Sequence, residues 1–301
     1  MYSDCNLCPR NCHTNREVRH GACHVGAQVM LARAALHMWE EPCISGETGS
    51  GAVFFSGCSL GCVFCQNHAI SKGQTGQKVS VERLADIFFE LKDKGANNIN
   101  LVTPDHYIPS VSKAIERAKV RGLGIPFVYN CSGYEKVEHL RRLEGLIDVY
   151  LPDFKYWEKE TAMRYAKAED YPQRAMEAIT EMVRQTGPCS FDEGGMIQKG
   201  VIVRHLLLPG NVRGAKEIVR YLHETYGDEI FISLMNQYTP GEDARVRLAE
   251  YPHLQRKVTK REYDRLVQYA LDIGVTNAFI QEGETASERF IPAFDLEGVA
   301  R

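Results

Sequence analysis

The chain has 301 residues, of which 44% are hydrophobic and 25% are charged. This is an ordinary globular composition at a length that can bury a large core, which excludes a disordered or a fibrous protein. The formal net charge of −3 predicts no broad basic surface, so nucleic acid is not an expected partner. No apolar run approaches the roughly 20 residues that span a bilayer, and the amino terminus lacks the apolar core of a signal peptide. We therefore expect a cytoplasmic protein with no membrane partner.

Eight of the ten cysteines lie before residue 66. Close spacing in a chain of this length predicts metal ligands rather than disulfides. The first group has the spacing C-x2-C-x3-C-x10-C and comprises Cys5, Cys8, Cys12 and Cys23. Its four thiolates could close a tetrahedral Zn²⁺ site or hold a second iron–sulfur cluster that relays electrons. We accordingly divide the chain into a Cys-rich metal-binding extension at 1–50 and a core at 51–301.

Short apolar runs alternate with amphipathic helical patterns from residue 51 onward. We expect helices after the caps Ser80 and Ser110 and after the capping box of Thr259 with Glu262, and two helical pieces within 159–187. Alternating strands and helices imply right-handed βα units around a parallel sheet. The predicted strands cover 52–56, 99–103, 125–130, 147–153, 201–208 and 230–236, with a possible seventh at 277–281.

Polar residues end nearly every predicted strand. In a (β/α) barrel the active site is assembled from such strand ends at one face, whereas an open doubly wound sheet is the alternative fold. The pattern favours an α/β protein with a partial, TIM-like (β/α)6 barrel. The polar ends lie at 103–106, 130–132, 153–155, 236–237 and 281–282.

The second group of cysteines follows the first predicted strand with the spacing C-x3-C-x2-C and comprises Cys58, Cys62 and Cys65. Three thiolates can hold one polynuclear iron–sulfur cluster, and the glycine before each of the first two lets the backbone turn tightly. A cubane cluster normally takes four cysteines, so one iron would keep an open position for a reactant. The alternative is a zinc site completed by His68.

This motif, with Phe64 before its last cysteine, resembles the radical S-adenosylmethionine (SAM) superfamily. The likeness extends to activating enzymes of glycyl radical enzymes, and within them to the pyruvate formate-lyase-activating-enzyme-like branch called PflX. It spreads over residues 5–240 in the segments CNLCPRNC, EEPCISG, FFSGCSLGCVFCQN, VYNCSGYE, YLPDFKYW, RHLLLPG and LMNQYTP.

The resemblance implies a specific chemistry. The three cysteines of the motif would bind three irons of a [4Fe-4S] cluster, and the amino and carboxylate groups of SAM would chelate the fourth. An electron from a donor such as flavodoxin or ferredoxin would cleave SAM to methionine and a 5′-deoxyadenosyl radical. This radical would abstract a hydrogen atom from the substrate.

The resemblance also implies roles at the strand ends. Phe64 would lie near the adenine, and Lys155 and Arg204 could meet the carboxylate of SAM. Asp153 and Lys155 keep the family's Asp-x-Lys and are predicted to be catalytic, together with the strand-end thiol of Cys131. The predicted cosubstrate-binding residues are Phe64, Thr103, Asp105, Asn130, Ser132, Lys155, Arg204, Met235 and Asn236.

Three functions follow from this interpretation. The first is an activase that takes hydrogen from a glycine of a partner glycyl radical enzyme. The second is radical modification of another protein, a peptide, an RNA or a small molecule. The third is a metal-stabilised binding or electron-carrier module without catalysis. The polar strand ends disfavour the third function, because a carrier needs no convergent pocket.

Overall fold

The computed structural model describes residues 1–241, 243–281 and 292–300. The strands are β1 (Met30–His37), β2 (Ser50–Phe55), β3 (Gln77–Lys78), β4 (Ile99–Val102), β5 (Phe127–Cys131), β6 (Val149–Pro152), β7 (Ser190–Phe191), β8 (Ile197–Leu206), β9 (Phe231–Met235) and β10 (Ala278–Ile280). They form one sheet in the order β10-β9-β8-β6-β5-β4-β2-β1-β3, and β7 pairs with β8 beside this path.

Helices connect the parallel strands. They are α1 (Pro42–Ser45), α2 (His68–Ser71), α3 (Val81–Asp93), α4 (Ile108–Val120), α5 (Val137–Leu140), α6 (Lys159–Ala166), α7 (Tyr171–Thr186), α8 (Val212–Tyr226), α9 (Ala244–Arg247) and α10 (Lys260–Asp272). Across the described residues, none of these helices combines the length and the apolar character that crossing a membrane requires.

The predicted α/β fold is confirmed as an open parallel sheet of the partial TIM-like type. The strands β2, β4, β5, β6, β8, β9 and β10 pair in parallel. Six of them correspond to the predicted βα units, and the short β10 adds a seventh. Strand β1 lies antiparallel to β2, so residues 30–37 of the predicted extension join the sheet of the core.

Alternation along the strands separates two packed faces. Val53 and Phe55 belong to the large cluster that the helices cover, whereas Phe54 between them belongs to a separate cluster. This separation is what the two-residue period of a strand produces. Each strand therefore has one face toward the helices and one toward the interior of the barrel.

Helix α1 closes the amino-terminal end of the barrel interior. Its Ile44 is fully buried, and the carbonyl oxygen of Ile44 accepts a hydrogen bond of 2.8 Å from Asn98, just before β4. The strand side chains that share a buried cluster with Ile44 are Val128, Val149, Leu151, Ile197 and Ile202. With this end filled, the carboxyl-terminal ends of the strands remain to form a site.

Two of the three predicted helix caps are formed. Ser80 accepts a hydrogen bond from the backbone of Arg83 at 3.0 Å, and the predicted capping box of Thr259 is formed. The predicted cap Ser110 is wrong, because α4 begins at Ile108 and contains Ser110 in its first turn. Pro109 lies in this first turn and suits the start of a helix, because the backbone N–H group that proline lacks has no hydrogen-bond partner at that position.

Candidate active site

The loop after β2 brings three thiols to the carboxyl-terminal end of the sheet. Gly57 has a φ of +90°, and a Cβ there would lie 2.7 Å from the carbonyl oxygen of Cys23. Glycine is therefore required for the chain to turn this close to the amino-terminal segment. These are the thiols of Cys58, Cys62 and Cys65. All three are half-buried, form no disulfide and border one cavity of about 670 Å³.

The sulfur of Cys62 lies between a hydroxyl group and an ammonium group. The Tyr156 hydroxyl donates to this sulfur at 2.9 Å. Burial raises the pKa of Cys62 to about 11, and the charge of Lys155 opposes that shift. The same ammonium also acts on the thiol of Cys65. Since a cation favours thiolate over thiol, Lys155 suits an anionic iron–sulfur centre at this place.

The arrangement of the thiols fits a cluster better than a single ion. Over the described ranges 1–241, 243–281 and 292–300, no three Cys, His, Asp or Glu side chains are gathered closely enough to hold one metal ion. The His68 imidazole, which would complete the alternative zinc site, lies 3.8 Å from the Asp243 carboxylate. The thiolates of a cubane bind different irons, so they surround a volume instead of meeting at a point.

The ring of Phe64 is held by three tyrosines. It packs edge-on against Tyr156, Tyr165 and Tyr238, with ring centroids 6.2, 6.1 and 6.1 Å away. Edge-to-face contacts of this kind fix an aromatic ring in place. The loop between the second and third cysteines is thereby anchored beside the cavity.

Most residues predicted at the strand ends border the same cavity, and two of them do not. Asp105 is buried in the turn after β4, where its Oδ1 lies 3.4 Å from His106 Nδ1. Asn236 follows β9, and its backbone nitrogen donates to Gln281 Oε1 at 2.7 Å. The predicted residues that do border the cavity, besides the three cysteines, are Phe64, Thr103, Asn130, Cys131, Ser132, Asp153, Lys155, Arg204 and Met235.

A network of charged side chains crosses the interior of the barrel around Arg204. Its Nε donates to Asp153 Oδ1 at 2.9 Å and its Nη1 donates to Glu40 Oε2 at 3.0 Å. Its Nη2 donates to Asn130 Oδ1 at 2.6 Å. Lys155 donates to the other carboxylate oxygen of Asp153. All three nitrogens of the guanidinium are thus engaged with the protein.

Mutual attraction keeps this network ionised. Burial lowers the pKa of Arg204, but the neighbouring carboxylates outweigh it and hold that pKa above its ordinary value. Burial raises the pKa of Asp153, and Arg204 with Lys155 more than reverses this, so the net shift is downward. Burial likewise lowers the pKa of Lys155, but Asp153 and Cys62 together outweigh burial and leave that pKa above its ordinary value. At neutral pH the wall of the cavity therefore carries paired, full charges.

Residues 37–42 run from the last residue of β1 to the first residue of α1 and border the cavity, and we call them the floor segment. The sequence did not predict this segment as part of the site. Its Glu40 accepts hydrogen bonds from the amides of Asn100 and Asn130 at 3.1 and 3.2 Å. Burial raises the pKa of the adjacent Glu41, against the charge of Arg204. The sequence offered one signal for this part of the site, which is the pair of adjacent acids Glu40 and Glu41 in a stretch without helical or strand periodicity.

The early cysteines lie against the cysteine loop. Cys5, Cys8 and Cys23 are buried and Cys12 is half-buried. The backbone nitrogen of Cys58 donates to the carbonyl oxygen of Cys23 at 3.3 Å. A second contact comes from Arg10, whose Nε donates to the carbonyl oxygen of Ser59 at 2.8 Å. The four thiols do not gather around one point as the ligands of a single ion would, so a metal at this place stays a prediction.

The parallel barrel and the three-cysteine loop after its first parallel strand define a class of enzyme that the comparisons identify. The family model of the Radical SAM superfamily matches residues 52–222, more than half of the chain. The chain therefore belongs to this superfamily and is a radical SAM enzyme, and the family implies a [4Fe-4S] cluster and SAM as cofactors. The narrower likeness to the PflX branch and to activases stays a prediction.

Two relatives show how far the similarity reaches. Over 277 residues the chain is 27% identical to the uncharacterized protein MJ0674 of Methanocaldococcus jannaschii. This match covers 90% of this chain and 75% of that protein. The fold of this chain is similar to that of SuiB from Streptococcus suis, which was solved bound to SAM; the TM-score is 0.52 and the sequence identity is 15%. That match covers 75% of this chain and 48% of SuiB, so the chain spans about half the length of SuiB.

Proposed function

We propose that this chain cleaves SAM reductively at a [4Fe-4S] cluster held by Cys58, Cys62 and Cys65, and that the radical formed takes a hydrogen atom from a substrate in the same cavity. The observation that carries this proposal is that the three thiols and the polar strand ends border one cavity. A [4Fe-4S] cluster bound there would supply the one-electron reduction of SAM, with the electron coming from a donor such as flavodoxin or ferredoxin, and the products would be methionine and the 5′-deoxyadenosyl radical.

The chain's own residues bind and orient. We assign the carboxylate of SAM to Lys155, because this ammonium lies by Cys62 and has three donors, of which Asp153 takes one. Phe64 would lie beside the adenine. Arg204 donates to Asp153, Glu40 and Asn130 through three of its five N–H groups, so we assign it to positioning these wall residues and not to binding SAM.

The substrate we propose is a peptide or a protein loop. In the part of the chain that is described, the sheet ends at β10 on one side and at β3 on the other. A barrel that does not close can admit an extended segment from the side. The carboxylate of Asp153 and the side chains of Asn130 and Ser132 border the cavity and offer acceptors and donors to a peptide backbone.

The reaction itself is tested by product analysis. Anaerobically reconstituted protein, reduced with dithionite in the presence of SAM, is expected to form 5′-deoxyadenosine and methionine. Cys62→Ala should abolish both products, because it removes a cluster ligand. The matched control is Cys189→Ala, which changes a cysteine just before β7 that does not border the cavity. Full cleavage by Cys62→Ala would refute the assignment.

The substrate class is tested by hydrogen transfer. Deuterium that reaches 5′-deoxyadenosine from a glycine α-carbon of a partner protein would support the activase form of the proposal. Deuterium from another position of a peptide would support peptide modification. Label from a small metabolite alone, with no protein radical, would reject both forms.

We also propose that the early cysteines hold a second metal centre, either Zn²⁺ or an iron–sulfur cluster. The support is Arg16, which is 2% exposed and donates to the carbonyl oxygens of Val25, Gly26 and His106. Its Nη1 lies 3.8 Å from the sulfur of Cys5, and no carboxylate among the described residues pairs with it. Buried charges are normally paired, and metal-bound thiolates would supply the missing negative charge.

Metal analysis tests this second centre. Changing Cys5 and Cys8 together to serine should release one metal equivalent while part of the SAM cleavage survives. Unchanged metal content in this variant would contradict the proposal. Loss of iron together with a redox-active early segment would identify the centre as a cluster and not zinc.

A further inference from the structure

A buried carboxyl group of the floor segment belongs to the cavity wall and has one oxygen atom without a hydrogen bond. Glu41 is 8% exposed and borders the cavity. Its Oε2 has no hydrogen-bond partner among the residues that the structure describes. A buried polar atom in this state is costly unless something else completes it. Since Glu41 lines the cavity, a bound molecule can supply the missing donor once the carboxyl group turns toward it.

The charges around the cavity indicate what kind of donor is missing. Its described walls include three carboxyl groups, Asp153, Glu40 and Glu41, and two cations, Lys155 and Arg204. Both cations are already paired with Asp153, and Arg204 is also paired with Glu40. In the described part of the chain no ion pair reaches Glu41. Glu41 is therefore the carboxyl group of these described walls that lacks a cation, and a cationic group on the ligand would hold it ionised.

Apolar side chains lie next to this acid. Trp39 and Met38 of the floor segment are 56% and 44% exposed and border the cavity. The side chains of Leu206 and Phe279 border the same cavity. Aliphatic chains pack well against such surfaces, and a cation at the end of the chain is attracted to the face of an indole ring.

The position of these residues separates them from the shared chemistry of the superfamily. The cysteine loop lies inside the matched range 52–222, whereas the floor segment and Phe279 lie outside it. Ser233, which lies by the Glu41 carboxyl, also falls outside this range. Residues that line the cavity beyond the common core are suited to select the substrate.

We propose that Glu41 binds the terminal amine or guanidinium of an aliphatic group on the substrate, with the apolar stem between Trp39 and the wall of β8 and β10. This inference rests on the proposed function, because the bound group belongs to the molecule that loses the hydrogen atom. The cation could be a lysine or arginine side chain of a peptide, or the end of a free diamine. Both sources share one chemistry, and direct binding distinguishes them.

Calorimetry on the anaerobic, cluster-loaded protein with SAM bound tests the inference without a need for turnover. The probes are the tripeptide Gly-Lys-Gly against Gly-norleucine-Gly, and 1,5-diaminopentane against pentan-1-ol. At least one cationic probe should bind ten times more tightly than its neutral counterpart. Preference for the tripeptide identifies a peptide source, and preference for the diamine identifies a small molecule.

Variants assign the effect to Glu41. Glu41→Gln should weaken the cationic probe at least tenfold and leave the neutral probe unchanged, whereas Glu41→Asp, which keeps the charge, should retain part of the affinity. The control is Glu47→Gln, which removes an exposed carboxylate shortly after the floor segment and should bind like wild type. Equal binding of cationic and neutral probes, no binding of any probe, or full affinity in Glu41→Gln would overturn the inference.

Failure of this inference can be distinguished from failure of the proposed function. Cleavage of SAM by the wild-type protein without a probe tests the reaction alone. A protein that cleaves SAM and ignores the cationic probes would keep the function and lose the assignment of Glu41. A protein that binds the probes and never cleaves SAM would lose the function.

Discussion

Replacing Arg204 by methionine should destabilise the protein, because this side chain neutralises two carboxylates inside the barrel. The side chains of Arg204, Glu40 and Asp153 are 13%, 9% and 16% exposed, so water screens their attraction weakly. Removing one partner of a buried ion pair costs about 3–5 kcal/mol. Asp153 would keep Lys155, whereas Glu40 would keep two amide donors. We therefore expect the lower end of the range, about 3 kcal/mol.

A second substitution separates the charge from the packing. In the Arg204→Met background, Glu40→Gln removes the carboxylate that has lost its partner and should restore about 1 kcal/mol. In the wild-type background, the same change removes an ion pair and should destabilise. Opposite signs in the two backgrounds would measure the coupling between the two side chains.

The assay is urea unfolding of the anaerobic, cluster-loaded protein followed by circular dichroism. The matched control is Arg220→Met, which breaks an exposed pair with Glu217 on α8 and should change the unfolding midpoint little. A loss below about 1 kcal/mol for Arg204→Met, or additive effects of the two changes, would refute the reasoning. Retained stability with a raised KM for SAM would instead make Arg204 a ligand of the cosubstrate.

Three further predictions concern stability. His205 donates from Nδ1 to the carbonyl oxygen of Phe154, and burial lowers its pKa to about 4 from 6.5. Because the unfolded chain binds the proton first, about 3 kcal/mol of stability should disappear as the pH falls from 6.5 to 4. Denaturation at several pH values should show this loss in wild type and a flatter profile in His205→Gln. Arg16→Leu should lower the free energy of unfolding by at least about 3 kcal/mol, because three buried carbonyl oxygens lose their donor, and a melting temperature unchanged from wild type would argue against this. Thr259→Ala should cost about 1 kcal/mol through loss of the capping box of α10, which urea unfolding can measure; no change would contradict the cap.

Local pattern was sufficient to predict the fold. Alternating hydrophobic strands, capped helices and polar strand ends are properties of short sequence segments. They located the parallel strands β2, β4, β5, β6, β8, β9 and β10, and they missed β1 and the two-residue strands β3 and β7. The three-cysteine loop was equally local, because its ligands lie within eight residues. The strand ends then meet because the carboxyl ends of parallel strands share one edge of the sheet.

Long-range packing determined what the sequence did not reveal. Glu40 reaches Arg204 because α1 fills the amino-terminal end of the barrel and carries the floor segment inside, and no local pattern records such a path. The hydrogen bonds of Arg204 depend on three separate parts of the chain at once. Asp105 is turned into a buried contact with His106 by the 3-10 turn after β4, and its side chain does not reach the cavity.

Electron paramagnetic resonance of the reduced, anaerobically reconstituted protein tests the central claim most directly, which is that three cysteines hold a cluster with one iron open to SAM. The signal of a reduced four-iron cluster should appear and should change on addition of SAM, because the amino and carboxylate groups of SAM would bind the open iron. Cys58→Ala should lack this signal. A protein that holds zinc without iron, or a cluster signal that SAM leaves unchanged, would contradict the claim.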